Sequence, residues 1–189
     1  MLDILEGLND CVKAGKIKHC GLSDDTPWGI SQYLRLSEQH NLPRMVSIQN
    51  EFSLLHAKDW PYLIEQCIHE DIAYLPWSPL GGGMLSGKYL NGAQPEGARL
   101  TIETRIEHRN GPQTDAATAA YIDLAQRYQL DPCQMALAFV NQQPFVSSTL
   151  IGATNMAQLR SNIDSINVTL SDEVLNEIAA LRRQYPRLF

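Results

Sequence analysis

The sequence predicts a parallel α/β fold. Short apolar runs alternate along the chain with segments whose apolar residues recur at helical spacing. Each apolar run ends in hydrogen-bonding groups, a flat aromatic or a glycine turn, and a helix start follows. In folds of this class a ligand sits beyond the carboxyl ends of the strands. The four predicted strand exits are Ser23-Asp24, Gln49-Asn50, Trp77-Ser78 and Gly152-Ala153-Thr154.

The elements follow in order. Ile4, Leu5, Leu8 and Val12 repeat at helical spacing, and Gly15 supplies a C-terminal stop. IKHCGL reads as the first strand. Thr26-Pro27 then opens a second helix as N-cap and first helical residue, with Ile30, Tyr33 and Leu34 on its apolar face and Asn41-Leu42-Pro43 as its end. MVSIQ is the second strand. Asp59-Trp60-Pro61 starts a third helix through Leu63, Ile64, Cys67 and Ile68, and IAYLPWS is the third strand. Residues 79–113 then lose any sustained period. Rich in glycine and broken by Pro79, Pro95 and Pro112, they read as a long functional loop with a short helix in it. Helices are predicted at 115–129 and 132–142, the second opened by Asp131-Pro132. VSSTLI is the fourth run. A helix carrying Leu159, Ile163 and Ile166 comes next, and a last helix begins after Ser171, where Asp172 and Glu173 suit the positive end of the helix dipole. All of this reads as one domain over residues 1–189.

Composition excludes several function classes. The chain has 189 residues, 44% hydrophobic and 19% charged, which suits a globular domain with a sizeable core. A net charge of −6 argues against general nucleic-acid binding. No apolar run approaches the ~20 residues of a membrane span, and Asp3, Glu6 and Asp10 interrupt any apolar signal region. The expected location is therefore the cytoplasm. Cys11, Cys20, Cys67 and Cys133 form no CxxC pair and read as reduced core thiols. His19, His40, His56, His69 and His108 show no ligand spacing, so no metal site is expected; His56, just past a strand exit, has the best placement near a site.

One motif poses a question. From Gly82, the stretch SPLGGGMLSGKY runs G-x-x-x-x-G-K and then places Tyr89 where a phosphate-cradling P-loop needs Ser or Thr for Mg²⁺. The residues alone leave two readings: a P-loop with its last letter changed, or a glycine-rich turn that handles a different phosphate. Asn91-Gly92 and Pro95 also break the helix that should follow a P-loop at once.

GLSDD, SIQNEFSLL, YLPWSPLGGGMLSGKYLNG and TLIGATNMAQLRSNI, in that order, resemble the aldo-keto reductase superfamily, and in particular the bacterial Tas-like NADP(H)-dependent reductases related to the β subunits of potassium channels. The resemblance runs from Met1 to about residue 184. It implies a (β/α)8 barrel with NADPH extended over the strand ends. It also answers the question above: the glycine stretch becomes the loop after the seventh barrel strand, which folds over the cofactor pyrophosphate and needs no magnesium.

Residue roles follow by resemblance. Trp77 matches the aromatic that stacks on the nicotinamide ring, and Ser23 and Gln49 match the groups that hydrogen-bond its carboxamide. Asp24 stands where relatives carry Asn or Arg, and a carboxylate there can accept but not donate. Ser78, Pro79, Leu80 and Gly82 match the loop contacts to phosphates and ribose. Lys88 and Arg99 match cations at the phosphate groups, with Arg99 favouring NADP over NAD through the 2′-phosphate. Gly152, Thr154, Gln158, Ser161 and Asn162 match the last cofactor segment, Ser161 in place of the Glu that relatives often use to hold the adenine amine.

The resemblance also implies a gap. A (β/α)8 barrel takes about 250 residues and eight strands, whereas four runs here match strands five to eight. The family's catalytic Asp, Tyr, Lys and His belong to strands two to four, and no stretch of this chain matches them. Of the seven tyrosines, Tyr74 lies in a strand, Tyr33, Tyr62, Tyr121 and Tyr128 on helix faces, Tyr89 in the loop and Tyr185 in the tail; none shows a Lys–Asp partner pattern. The expected architecture is therefore half of a (β/α)8 TIM barrel, the cofactor-binding half of an NADP(H)-dependent reductase of aldehydes or ketones. Its open edges and concave apolar face call for a homodimer or a separate N-terminal half. The alternatives are a non-catalytic NADP(H)-binding or subunit-interaction module, or an inactive remnant of a split gene.

Overall fold

The first helix, α1 (Leu2–Lys13), is ended by Ala14 and by Gly15 in the left-handed region, φ +68°. In this computed structural model, which describes residues 1–103, 109 and 111–186, the chain divides into two units. The first comprises Met1–Asn50, Asp59–Leu75 and Phe145–Ser148; the second Glu51–Lys58, Pro76–Pro144 and Thr149–Phe189.

The first unit is built on a parallel sheet, β1 (Cys20–Ser23), β2 (Met45–Gln49) and β3 (Ala73–Tyr74), in the order β1-β2-β3. Helix α2 (Pro27–His40) lies between two local signals. Thr26 Oγ1 accepts from the Gly29 N–H at 3.1 Å, and Asn41 ends the helix in a left-handed conformation. It buries Ile30, Tyr33 and Leu34 as its pattern predicts. Helix α3 (Tyr62–His69) starts a turn later than the Asp59-Trp60-Pro61 signal predicts. Asp59 still serves the helix, since its carbonyl accepts the Leu63 N–H at 3.0 Å. Its carboxylate is used elsewhere, accepting the Tyr74 hydroxyl at 2.8 Å and so tying the helix entry to β3. Leu5, Ile30, Met45, Ile48, Ile64 and Tyr74 form the core. The apolar face of α1 is narrower than predicted: Leu5 is fully buried while Ile4 is 55% exposed.

The fourth apolar run is not a strand. It reduces to one parallel bridge, Tyr74 to Val146, with the Ser147 N–H donating to Tyr74 O at 3.0 Å. The reason lies in β3. Leu75 gives its N–H to Ile48 O, and Pro76 has none to give, so regular pairing lapses and the run's next bond is Leu150 N–H to Pro76 O at 2.8 Å.

Among the described residues, the second unit holds the glycine-rich stretch after Trp77 and five α-helices: α4 (Arg99–Ile102), α5 (Pro112–Arg127), α6 (Pro132–Asn141), α7 (Met156–Asp164) and α8 (Asp172–Gln184). Helix α6 is capped by Asp131, whose carboxylate accepts the Gln134 N–H at 2.9 Å, and is buried on all sides from Met135 to Val140. Ser171 caps α8. The short helix expected within 79–113 is α4, joined by 3-10 turns at Gly81–Ser86 and Leu90–Gly92. Helix α7 overturns its predicted face: Ile163 and Ile166 are 55% and 72% exposed, while Asn162 and Ser165 are buried. A polar chain explains this. Ser165 Oγ donates to Asn162 O at 2.6 Å, and Asn162 Nδ2 donates to Gly152 O at 3.1 Å, so this helix is anchored by hydrogen bonds on its inner side.

Two predictions follow from the first unit. A methyl group at Gly21 would overlap Ser47 Oγ and come within 3.0 Å of Ser47 O, at the point where the β1–β2 register slips. Gly21→Ala is expected to destabilise the fold by about 1–3 kcal/mol, the usual penalty of overpacking, read by urea unfolding. Burial, and behind it the Asp59 carboxylate, pushes the Cys67 thiol up from 9.0 to about 11. A pKa raised on folding gives stability that is full below the unfolded value and is lost as pH climbs to the folded one. Roughly 2 kcal/mol is therefore expected to vanish between pH 9 and 11, and Cys67→Ala should flatten that part of the stability profile.

Candidate functional site

In the first unit, the exits of β1 and β2 are knotted together. Ser23 Oγ donates to Gln49 O at 2.9 Å. Asp24 takes φ 52°, a left-handed conformation uncommon outside glycine. It is held there because its N–H donates to Asn50 Oδ1 at 2.8 Å and to Gln49 O at 3.2 Å. Asn50 is only 5% exposed and also donates to Asp25 O at 3.4 Å. Sequence reading placed Asn50 at a strand exit and gave it no role; the structure makes it the clip that brings Ser23, Asp24 and Gln49 together.

In the second unit, Trp77 is half-buried, and its carbonyl accepts the Phe52 N–H at 3.3 Å beside a parallel bridge between Trp77 and Glu51. Ser78 then turns the chain with φ 52°. Gly81, Gly82 and Gly83 follow at φ 59°, 71° and 97°, three successive left-handed residues that side chains would strain. The turn is closed by Gly81 N–H to Ser78 O at 2.8 Å and Gly83 N–H to Leu80 O at 3.0 Å. Pro79 is buried, and Leu80 and Gly82 are half-buried.

The Lys88 ammonium folds back over this turn. A Cβ at Gly83 would lie 3.2 Å from Lys88 Nζ, and the same Nζ stands 5.1 Å from the Tyr89 ring centroid. Tyr89, the letter that breaks the P-loop pattern, is 3% exposed, and its hydroxyl accepts the Leu100 N–H at 3.2 Å, which fixes the start of α4. Arg99 is the exposed first residue of α4. After Lys88 comes a 3-10 turn with Asn91 at φ 60°, not the long helix a P-loop opens.

The last predicted segment forms its own network. Gln158 Oε1 accepts from both the Thr154 N–H at 2.8 Å and the Thr154 hydroxyl at 2.9 Å. Asn155 Oδ1 caps α7 by accepting the Gln158 N–H at 2.9 Å. Asn162 holds Gly152 as described, and Ser161 is half-buried with its carbonyl accepting from Gln134 Nε2 at 3.1 Å.

Sequence reading missed a buried ion pair. Arg109 donates through both terminal nitrogens to Glu51, at 2.5 and 2.6 Å, with side chains 10% and 6% exposed. The Arg109 guanidinium also stands 5.6 Å from the Trp77 ring centroid. Nothing local signals a pair separated by 58 residues. Tyr74 is a second departure. It has an acidic partner in Asp59, but burial and that carboxylate push its hydroxyl well above the usual range, opposite to what a proton donor needs. Among the described residues, no group of His, Cys, Asp and Glu could hold a metal ion, and His108 lies outside them. His56 closes a turn, its N–H donating to Ser53 Oγ at 3.1 Å. Cys20 and Cys67 are buried, Cys11 and Cys133 half-buried, and all four are free thiols.

At the glycine turn no Cβ screens the backbone, and the Lys88 ammonium lies beside Gly83. Residues 1–183 match the family model described as aldo/keto reductase family. The chain belongs to the aldo/keto reductase family. It is 50% identical to "Protein tas" of Escherichia coli (strain K12) over 185 residues, which is 98% of this chain and 54% of that protein. It is 35% identical over 167 residues to an "Aldo-keto reductase" of Babesia bovis, covering 85% of this chain and 59% of that one. Identity to the "L-glyceraldehyde 3-phosphate reductase" of Escherichia coli O157:H7 is 27% over 192 residues, 94% of this chain and 53% of the relative. The chain thus spans about half the length of the curated relatives it matches. No helix among the described residues is long and apolar enough to cross a membrane.

Removing one member of the buried pair takes two short hydrogen bonds from the other. Arg109→Met is expected to cost about 3–5 kcal/mol in urea unfolding, while Glu51→Met with Arg109→Met should cost less, because the charge that loses those bonds is removed as well. Equal losses in the two variants would show that the pair's charge is irrelevant to the fold.

Proposed function

We propose that this chain is the cofactor-binding half of an NADP(H)-dependent aldo/keto reductase that acts on an aldehyde or ketone, matching strands five to eight of a (β/α)8 barrel. The observation that carries this reading is the Trp77-Ser78 turn running into three left-handed glycines under the Lys88 ammonium. When bound, NADPH supplies a hydride for the carbonyl carbon. Trp77 would stack on its nicotinamide ring, and Ser23, Asp24 and Gln49 would meet the carboxamide. Ser78, Pro79, Leu80 and Gly82 would lie along the pyrophosphate and ribose, with Lys88 and Arg99 supplying positive charge to the phosphate groups. Gly152, Thr154, Gln158, Ser161 and Asn162 would hold the adenosine end, where the start of α7 favours an anion.

The carbonyl substrate class is supported by the family and by a relative named as a reductase of L-glyceraldehyde 3-phosphate. Since no stretch of this sequence matches the family's Asp, Tyr, Lys and His, the proton donor would come from a separate N-terminal half or from another part of a longer chain. A second reading, a non-catalytic NADP(H)-binding or subunit-interaction module or an inactive remnant of a split gene, is favoured by the same gap. Cytoplasmic placement is part of the proposal.

Titration with NADPH, followed by tryptophan emission, tests the reading. Quenching is expected, and Trp77→Phe should abolish most of it. Lys88→Met and Arg99→Leu should each weaken NADPH by about tenfold or more, the worth of one charge-assisted hydrogen bond, and Arg99→Leu should leave NADH unchanged. Equal affinity of the parent for NADPH and NADH would remove the role given to Arg99.

A further inference from the structure

A buried side chain from just before α5 meets the Trp77 indole. Arg109 meets Glu51 with both terminal nitrogens, at 2.5 and 2.6 Å, and its guanidinium carbon stands 5.6 Å from the centroid of the Trp77 ring. Glu51 is itself paired to Trp77 through the backbone bridge. The backbone of residue 77 and the face of its side chain are thus fixed by the two halves of one ion pair.

We propose that Arg109, oriented by Glu51, is a positioning residue for Trp77: it holds the indole in the orientation that a nicotinamide ring stacks upon. The proposal rests on the reading of Trp77 as the stacking aromatic. The physical argument has three parts. A bidentate fork sets the plane of the guanidinium, which a point charge on a flexible stem could not do. A cation within about 6 Å of an indole centroid attracts its face and limits rotation about the Cα–Cβ and Cβ–Cγ bonds. The Glu51 carboxylate sets a negative charge against the guanidinium, which lowers the positive charge beside a ring that is cationic when oxidised. The pair is nine-tenths buried, with side chains 10% and 6% exposed, so water does not compete for the fork.

The test uses the whole chain with Trp28→Phe and Trp60→Phe, so that Trp77 is the only emitter. Trp28 and Trp60 are 67% and 51% exposed, which makes both changes mild. The main variant is Glu51→Met with Arg109→Met, which removes both charges at once; Arg109→Lys keeps the charge and loses the fork. In the parent, the anisotropy of Trp77 is expected to decay with overall tumbling alone. In both variants a fast nanosecond component should appear, and NADPH should bind about two- to tenfold more weakly, because the indole must be ordered on binding. A rigid Trp77 with unchanged affinity in the double variant would overturn the proposal. Trp77→Phe separates the two claims. If it binds NADPH as the parent does, the stacking reading falls and the proposal with it. If it binds weakly while the double variant binds normally, only the positioning role of Arg109 falls.

Discussion

The Glu51–Arg109 pair joins residues 58 positions apart, one bridged to Trp77 and the other just before α5. The strand-exit side is held by backbone: Glu51 bridges to Trp77, and Phe52 donates to the Trp77 carbonyl. The other side contributes Arg109, placed just before α5 begins at Pro112. A guanidinium and a carboxylate this deeply buried cost several kcal/mol each to desolvate, and only good bidentate geometry offsets that cost. The two ends of the glycine-rich segment are therefore not independently adjustable. Moving Arg109 would take both of its hydrogen bonds from Glu51.

Between these ends the chain bends where its residues allow. Gly81 to Gly83 accept three left-handed conformations in a row, and Ser78 and Asn91 add two more outside glycine. Tyr89 then closes the bend from inside, with its ring buried and its hydroxyl holding the Leu100 N–H. The residue that spoils a magnesium-binding motif is thus the one that secures α4, and α4 presents Arg99. The start of α4 and the Lys88 contact thus rest on the same buried ring of Tyr89.

Local signals were legible in the sequence. Thr26, Asp131 and Ser171 cap their helices as their chemistry suggests, because a cap depends only on the residue and the three amides after it. Asn41 ends α2 for an equally local reason. Three features were not legible. The fourth apolar run had strand composition, but regular pairing had already lapsed at Pro76. The apolar residues of α7 had helical spacing, yet hydrogen bonds from Asn162 and Ser165 turned that face outward. Asp59 looked like a helix start and became an acceptor for Tyr74.

By itself the sequence determined the parallel α/β class, most helix boundaries, the glycine turn after Trp77 and membership of the aldo/keto reductase family, because each of these is carried by contiguous residues. Only the tertiary structure decided that Asn50 clips two strand exits, that Lys88 lies over Gly83, and that Glu51 and Arg109 close on each other beside Trp77. Those contacts join residues from 5 to 58 positions apart. Their partners are chosen by how the backbone turns and which surfaces are buried, and neither is written in the spacing of the residues involved.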